Sequence, residues 1–179
     1  AERYDRTLDD AFTIQSEVAQ RIVAEVGAVL GAEERRGMTD MPTANPEAYR
    51  LYLQGEEYRR RPGDLEQDFQ SARRLYERAL EMDAGFALAH AALSQVHGEL
   101  YWQGYDRSPA RIARQRREAE VALRLAPGLP EAHLAMGLAH YWGRRDYRRG
   151  LAEFRTALQA MPNDAELWAY VGYVQRRLG

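Results

Sequence analysis

The sequence predicts an all-α fold, and two observations support this prediction. Apolar residues recur at helical spacing between clusters of proline and glycine, as at Ile14, Val18, Ile22, Val26 and Leu30, and this spacing places them on one face of a helix. The sequence also lacks sustained apolar–polar alternation and the Asn-Gly or Asp-Gly pairs that mark β-hairpins. We therefore expect amphipathic helices joined by short turns.

The composition excludes several classes of function. The 179 residues include no cysteine and carry a formal net charge of −2, so disulfides, thiolate zinc sites and cysteine nucleophiles are excluded. All 25 basic residues are arginine, which leaves no lysine for a Schiff base or a phosphate-binding loop. The sequence contains no apolar run of about 18 residues and begins with no signal peptide, so we expect a cytoplasmic protein without membrane contact.

Three segments of the chain end alike, which indicates an internal repeat. Each contains an Ala-Leu pair, and proline or alanine follows the leucine four residues later. The three segments contain Ala79-Leu80 with Ala84, Ala122-Leu123 with Pro127, and Ala157-Leu158 with Pro162. A new amphipathic stretch follows each of them, as expected for helix pairs in tandem.

With these residues the chain resembles the tetratricopeptide repeat, a helix-turn-helix unit of about 34 residues. The third copy matches best, with Met136-Gly137 at positions 7 and 8, Phe154 at position 24, Ala157 at 27 and Pro162 at 32. The second copy has a connection, WQGYDRSPAR, with about nine extra residues. The resemblance implies a right-handed α-solenoid whose repeats span residues 46–84, 87–127 and 130–162, with a partial repeat at 165–179.

The four histidines occupy equivalent places in two repeats. His90 and His133 fall at position 4, and His97 and His140 at position 11, where the family places aromatic packing residues. A spacing of seven separates two rings by about 10 Å along a helix, which is too far for one zinc ion to bind both. We interpret them as packing residues and predict no metal or cofactor, while a site shared by His97 and His140 stays open.

The first 43 residues do not fit the repeat and are predicted to form one long helix and a linker at the end of an upstream domain. Their Glu2, Tyr4-Asp5-Arg6, Phe12, Gln15 and Glu17 resemble a TolB-like segment that precedes such repeats in bacterial multidomain signalling proteins. Those proteins carry an adenylate or guanylate cyclase, a serine/threonine kinase or a winged-helix domain. The resemblance implies that the chain is part of a larger signalling protein.

Catalysis and nucleic-acid binding are not favoured by the remaining motifs. The sequence contains no Gly-rich phosphate loop, His-Glu-x-x-His pair or Gly-x-Ser-x-Gly elbow, so we predict a non-enzymatic chain. Arginines cluster at residues 59–61, 111–117 and 144–149, but Glu118, Glu120, Asp146 and Glu153 are interspersed with them. This mixture favours a solvated outer face over a nucleic-acid interface.

The resemblance implies a concave binding surface formed by the first helix of each repeat. Its positions 2, 5, 9 and 12 give a predicted peptide-binding groove of Leu88, Gln95, Glu131, Leu134, Leu138, Tyr141 and Tyr173. The basic residues of the family's carboxylate clamp are missing, so the predicted partner is a protein or peptide with an apolar or amphipathic segment.

Two alternatives to an external peptide stay open at this point. Some of Leu134, Leu138 and Tyr141 could face inward, or residues 8–36 could cover the groove as an intramolecular helix. The second alternative is homo-oligomerisation through the C-terminal half-repeat, whose Leu167, Trp168, Val171 and Val174 are predicted to lack their usual partner helix. In that case the segment would serve as a scaffold with no external ligand.

Overall fold

The computed structural model describes residues 42–63 and 65–179, and within these ranges it contains helices and no strand. The helices are α1 (Pro46–Arg59), α2 (Glu66–Met82), α3 (Ala87–Trp102), α4 (Pro109–Leu125), α5 (Pro130–Leu138), α6 (Tyr147–Ala160) and α7 (Ala165–Leu178), and a π-helical segment (Ala139–Arg144) follows α5. The predicted all-α fold is confirmed. The predicted helix within residues 1–43 lies outside the described residues.

The helices form the predicted pairs, α1 with α2, α3 with α4 and α5 with α6, and α7 follows as a first helix. Three helix starts are capped by side chains, because Ser108, Asp146 and Asp164 accept hydrogen bonds from backbone amides in the first turns of α4, α6 and α7. Pro109 and Pro130 stand in the first turns of α4 and α5, where a missing amide proton costs nothing.

In repeats one and three, an aromatic ring on the second helix packs directly against a glycine on the first. A Cβ atom placed at Gly55 would collide with the ring of Tyr76, and one at Gly137 would collide with the ring of Phe154. Both rings are completely buried. Glycine is required at these two places because the helices approach each other more closely than any side chain would permit.

Repeat two packs its helices differently. Ala119 stands where the other repeats have Tyr76 or Phe154, and the first helix presents Ser94 in place of glycine. The Ser94 hydroxyl donates a hydrogen bond of 2.7 Å to the backbone oxygen of Gln115 on α4. Both residues are fully buried, so a small polar residue fills the close approach of the two helices.

The extra residues of repeat two lengthen its helices and are not confined to the predicted connection. Within WQGYDRSPAR, Trp102 is still part of α3, and α4 already begins at Pro109. Only residues 103–108 connect the two helices. The long connection expected from the sequence is corrected accordingly, because Trp102 extends α3 and residues 109–111 already belong to α4.

Repeat three also departs from the family spacing, but by a single residue, which the π-helical segment accommodates. His133 and Phe154 are 21 residues apart, one more than positions 4 and 24 of the family pattern. A single extra residue inside a helix widens one turn to the π form. Arg145, which directly follows the segment, adopts a left-handed backbone conformation with φ of 53°.

The apolar face predicted for α7 is largely covered. Leu167, Val171 and Val174 are buried in one cluster with Leu134 and Phe154, so the prediction that this face lacks a partner is corrected. The preceding helix pair already supplies the apolar surface against which a first helix packs. Trp168, Tyr173 and Leu178 remain exposed on α7. Among the helices described, none has the length and apolar character that crossing a bilayer requires.

Candidate binding surfaces

The ring at position 4 of the repeat forms the same kind of hydrogen bond at the start of three helices. The Nε2 atoms of His90 and His133 lie 3.2 and 2.9 Å from the backbone oxygens of Ala84 and Pro127, in each case six residues earlier. In the last repeat, Trp168 Nε1 donates in the same way to the oxygen of Pro162 at 2.8 Å. The ring at position 4 therefore ties each first helix to the turn that precedes it.

The two histidines at position 4 also contact the second helix of their own repeat. His90 Nδ1 lies 2.7 Å from a carboxylate oxygen of Glu118, and His133 Nδ1 lies 2.7 Å from one of Glu153. Each ring thus bridges a backbone oxygen and a carboxylate. The interpretation of these histidines as packing residues is refined, because both are primarily hydrogen-bonding residues.

The histidines at position 11 differ from each other. His97 is buried, and its Nδ1 accepts a hydrogen bond of 2.8 Å from Arg111. Burial, together with the positive charge of Arg111, lowers the pKa of His97 to about 3. Burial also lowers the pKa of His140. Within residues 42–63 and 65–179, no group of three potential ligands could hold a metal ion.

The first helices of all four repeats meet at a concave groove with a volume of about 120 Å³. Its lining residues lie on α1 and directly after it, on α3, α5 and α7, and in the turn before α7. They are Tyr52, Glu56, Arg59, Arg60, Leu88, Ala92, Gln95, Glu131, Leu134, Met161, Asp164 and Glu166. The volume is that of one inserted side chain, and four carboxylates face two guanidinium groups.

The carboxylate of Glu56 is engaged within the groove. It accepts hydrogen bonds from Arg59 at 2.9 and 3.0 Å, from Arg60 at 2.9 Å and from the hydroxyl of Tyr76 at 2.6 Å. Burial raises the pKa of Glu56, but the hydrogen bonds and charge of Arg59 outweigh it, so the net pKa is lowered. Both arginines of the groove are therefore paired with Glu56, Arg59 through two nitrogens and Arg60 through Nε.

Glu131 is a groove carboxylate with a buried oxygen whose hydrogen-bonding capacity is unused. Its Oε2 atom is buried and has no hydrogen-bond partner among the described residues. Burial raises the pKa of Glu131, and the neighbouring Glu56 and Asp164 raise it further. A buried acceptor of this kind is stabilised by a donor or a positive charge.

The structure brings together four of the seven residues predicted to line the groove, namely Leu88, Gln95, Glu131 and Leu134. Leu138 is 1% exposed within the core, so it presents no surface, which corresponds to the inward-facing alternative. Tyr141 lines a different cleft. Tyr173 is exposed on α7, where it makes an edge contact with Tyr170 at 6.4 Å between ring centroids.

Sequence reasoning missed the groove residues on α1 and in the turn before α7. Tyr52, Glu56 and Arg59 belong to the first repeat, where the family pattern is weakest, and Met161 and Asp164 lie in a turn. With these residues the lining of the groove is mixed and acidic. The helical spacing of Tyr52, Glu56 and Arg59 would have shown that they share one face.

A second surface is the aromatic–arginine cleft, with a volume of about 460 Å³. Its lining combines the end of α3, the connection after it, the π-helical segment, the start of α6 and the end of α7. The lining residues are Tyr101, Trp102, Arg107, Tyr141, Trp142, Arg145, Tyr147 and Arg177. None of the described residues that line it is acidic.

Comparison with solved structures establishes the fold. The first TPR of Spaghetti (RPAP3) bound to an HSP90 peptide, SRMEEVD, matches 74% of this chain and 95% of its own with a TM-score of 0.58 and 14% identity. The Sgt2 TPR domain from Aspergillus fumigatus matches 76% of this chain and 82% of its own with a TM-score of 0.59 and 16% identity. The fold is a tetratricopeptide-repeat solenoid. At these identities the likeness concerns the fold alone.

One curated relative resembles this chain in sequence. A protein named "Putative adenylate cyclase 3", from Rhizobium meliloti (strain 1021), is 33% identical over 148 residues. The match covers 81% of this chain and 24% of that protein, so the chain spans about a quarter of the length of the relative. No family model matches the chain.

Proposed function

We propose that the chain is a non-catalytic protein-interaction module that binds an amphipathic peptide in the concave groove. The observation that carries the proposal is the groove itself, in which Leu88 and Leu134 provide apolar contact beside the unpartnered carboxylate oxygen of Glu131. Its small volume suits one inserted side chain, while the rest of the peptide would lie along the first helices.

The charges of the groove favour a partner with basic residues. Arg59 and Arg60 are paired with Glu56, whereas Glu131 has an oxygen without a partner in the described part of the chain. The solenoid of Spaghetti is described with the acidic peptide SRMEEVD. An acidic groove would repel such a peptide, so we propose the opposite preference for this chain.

We further propose that the module is a regulatory segment of a larger bacterial signalling protein. The support is the stretch of 148 residues that it shares at 33% identity with a protein named as an adenylate cyclase. The catalytic chemistry of such a protein would be supplied by another domain, and this segment would supply partner recognition.

Two matched peptides test the proposal. Both would be amphipathic helices with the same apolar face, one with arginine and the other with glutamate on the polar face, and each would carry a fluorescent label. We expect fluorescence anisotropy to show binding of the arginine peptide, and Leu88→Arg or Glu131→Gln to weaken it about tenfold, or about 1.4 kcal/mol. Leu53→Arg is the matched control, since Leu53 is exposed and lies outside the groove.

The same experiment separates the alternatives. If neither peptide binds, or if Leu88→Arg has no more effect than Leu53→Arg, the groove is not the working surface. Sedimentation of the unliganded chain would then test self-association through Trp168, Tyr173 and Leu178, which are exposed on α7. A concentration-dependent dimer that is abolished by Trp168→Arg would support an assembly function instead.

A further inference from the structure

We infer that the aromatic–arginine cleft is a binding site for a mononucleotide, a planar ring system that carries a phosphate group. The site is separate from the concave groove, with which it shares no lining residue. The inference therefore does not depend on the proposed peptide binding. Its volume of about 460 Å³ lies in the range of small-molecule sites.

The aromatic part of the cleft offers a stacking surface. Trp102 is stacked on Trp142 with ring centroids 5.8 Å apart and an interplanar angle of 18°. Trp142 is 6% exposed and supports the pair from the core, while Trp102 is 50% exposed. A large apolar ring that is stacked on a buried ring and half exposed to solvent is the arrangement on which a nucleobase stacks.

The basic part of the cleft offers three guanidinium groups. Arg107, Arg145 and Arg177 come from the connection after α3, the position after the π-helical segment and α7. Within the residues that the structure describes, none of the three forms an ion pair. The nearby Asp106 is occupied by Arg111 at 2.8 Å. Guanidinium groups without carboxylate partners are suited to bind phosphate oxygens.

The backbone at the cleft is unusual in two ways, and both are independent of the side-chain chemistry. The π-helical segment carries Tyr141 and Trp142, and π turns inside α-helices occur frequently at functional sites. It is followed by Arg145, the one non-glycine residue with positive φ in the described part of the chain. Glycine is the residue expected at such a position, because it adopts positive φ without strain. The arginine there has a strained backbone, and its side chain lines the cleft.

A mononucleotide accounts for all of these features together. An acidic peptide would use the arginines but not the flat stacked pair, and an apolar ligand would use the rings but leave three positive charges desolvated. A ring that stacks on Trp102 while its phosphate reaches the arginines uses both. The ligand class is defined by this combination and not by a particular base.

The test is a titration of the full chain with adenosine 5′-monophosphate. Binding is measured by calorimetry and by quenching of tryptophan fluorescence. Adenosine, ribose 5-phosphate and inorganic phosphate are the comparison probes. We expect the nucleotide to bind at least about tenfold more tightly than any of these, because each fragment lacks either the ring or the phosphate. We also expect its affinity to fall with added salt.

Two variants connect the binding to the cleft, and two others serve as controls. Trp102→Leu and Arg145→Gly are each expected to weaken nucleotide binding about tenfold. Trp168→Leu and Arg124→Gln, which are exposed and lie outside the cleft, are the matched controls. Arg145→Gly is especially informative because glycine suits φ of 53°, so this variant should melt at the same or a higher temperature while it loses binding.

Four results would contradict the inference. No heat or quenching with millimolar nucleotide would overturn the inference, as would equal binding of nucleotide and inorganic phosphate, which would show an anion site without ring recognition. Binding that is unchanged in both Trp102→Leu and Arg145→Gly would place the nucleotide elsewhere. Tight binding of an oligonucleotide or a phosphotyrosine peptide without mononucleotide binding would assign the cleft to a different class of ligand.

Discussion

Repeats two and three carry the same histidine frame but pack their two helices by different chemistry. In repeat three, Gly137 allows the ring of Phe154 to lie against the backbone of α5. In repeat two, Ser94 replaces the glycine, and Ala119 replaces the ring. There the helices are joined by the hydrogen bond of 2.7 Å from Ser94 to the oxygen of Gln115.

The comparison shows that the family pattern constrains the fit of residue pairs more than the identity of single residues. An aromatic ring on the second helix requires glycine at the facing position of the first helix, whereas alanine in place of the ring leaves room there for serine. Repeat two lacks the ring and also buries polar groups. His97 and Arg111 form a hydrogen bond of 2.8 Å in its interior. Repeat three should therefore depend on apolar packing, and repeat two on polar contacts that respond to pH.

The largest effect is expected when the ring of repeat three is removed. Phe154 is completely buried, so Phe154→Ala should lower the free energy of unfolding by about 3–5 kcal/mol through lost burial and the cavity left behind. Urea denaturation followed by circular dichroism would measure the change. A loss of less than about 1 kcal/mol would show that the ring does not hold α5 and α6 together.

A graft of repeat two into repeat three sharpens the same comparison. Gly137→Ser alone should destabilise the chain by about 1–3 kcal/mol, because its side chain collides with Phe154. In the Phe154→Ala background the same serine should instead recover about 1 kcal/mol through a hydrogen bond to the oxygen of Gly150, the counterpart of Gln115. A change in sign within this double-mutant cycle is the expected result.

Gly172 supplies the control for the glycine effect. It occupies the equivalent position on α7, where a Cβ atom would meet nothing within 4 Å. Gly172→Ala should therefore raise the free energy of unfolding by about 0.5–1 kcal/mol through helix propensity alone. If Gly137→Ala and Gly172→Ala have the same effect, close packing is not what requires glycine in repeat three.

The next largest effect is a pH dependence that originates in repeat two. The folded pKa of His97 is about 3, since burial and then the charge of Arg111 oppose protonation, and Arg73, Arg114 and Arg117 add to this charge. The unfolded chain, with a histidine pKa near 6.5, takes up the proton first. Stability is thus lost as pH falls from about 6.5 towards 3, by about 2 kcal/mol between pH 7 and pH 5.

His97→Gln isolates this contribution. Glutamine does not titrate, and its amide oxygen can still accept from Arg111, so the variant should lose the pH dependence while it keeps the hydrogen bond. The measurement is the difference in free energy of unfolding between parent and variant at pH 7 and at pH 5. An equal difference at both pH values would mean that His97 is freely protonated in the folded chain.

The sequence predicted the fold better than it predicted the binding surfaces, and the reason is physical. Helical periodicity and the repeated Ala-Leu pairs follow from local geometry, and so the helix pairs were correctly expected.

The surfaces depend on packing between residues far apart in the sequence. Leu138 was expected in the groove, but it turns into the core with Phe154 and Leu167. The groove instead gains Glu56 and Asp164, which are more than 100 residues apart. The one extra residue of repeat three can be counted in the sequence. Only the structure shows that it forms a π-helical segment, which is followed by an arginine with positive φ beside Trp142.

A smaller effect than the loss of Phe154 concerns what the two repeats share, the ring at position 4. In repeat three, His133→Phe removes hydrogen bonds to both Pro127 and Glu153 and should cost about 1–2 kcal/mol. Trp168 forms the equivalent backbone bond in the last repeat, so His133→Trp should restore the bond to Pro127 and regain about 1 kcal/mol relative to phenylalanine. The free energies of unfolding of the two variants at neutral pH test this expectation. If tryptophan is no better than phenylalanine, the ring acts through its apolar area, and the hydrogen bond to the preceding turn adds nothing to the stability of the solenoid.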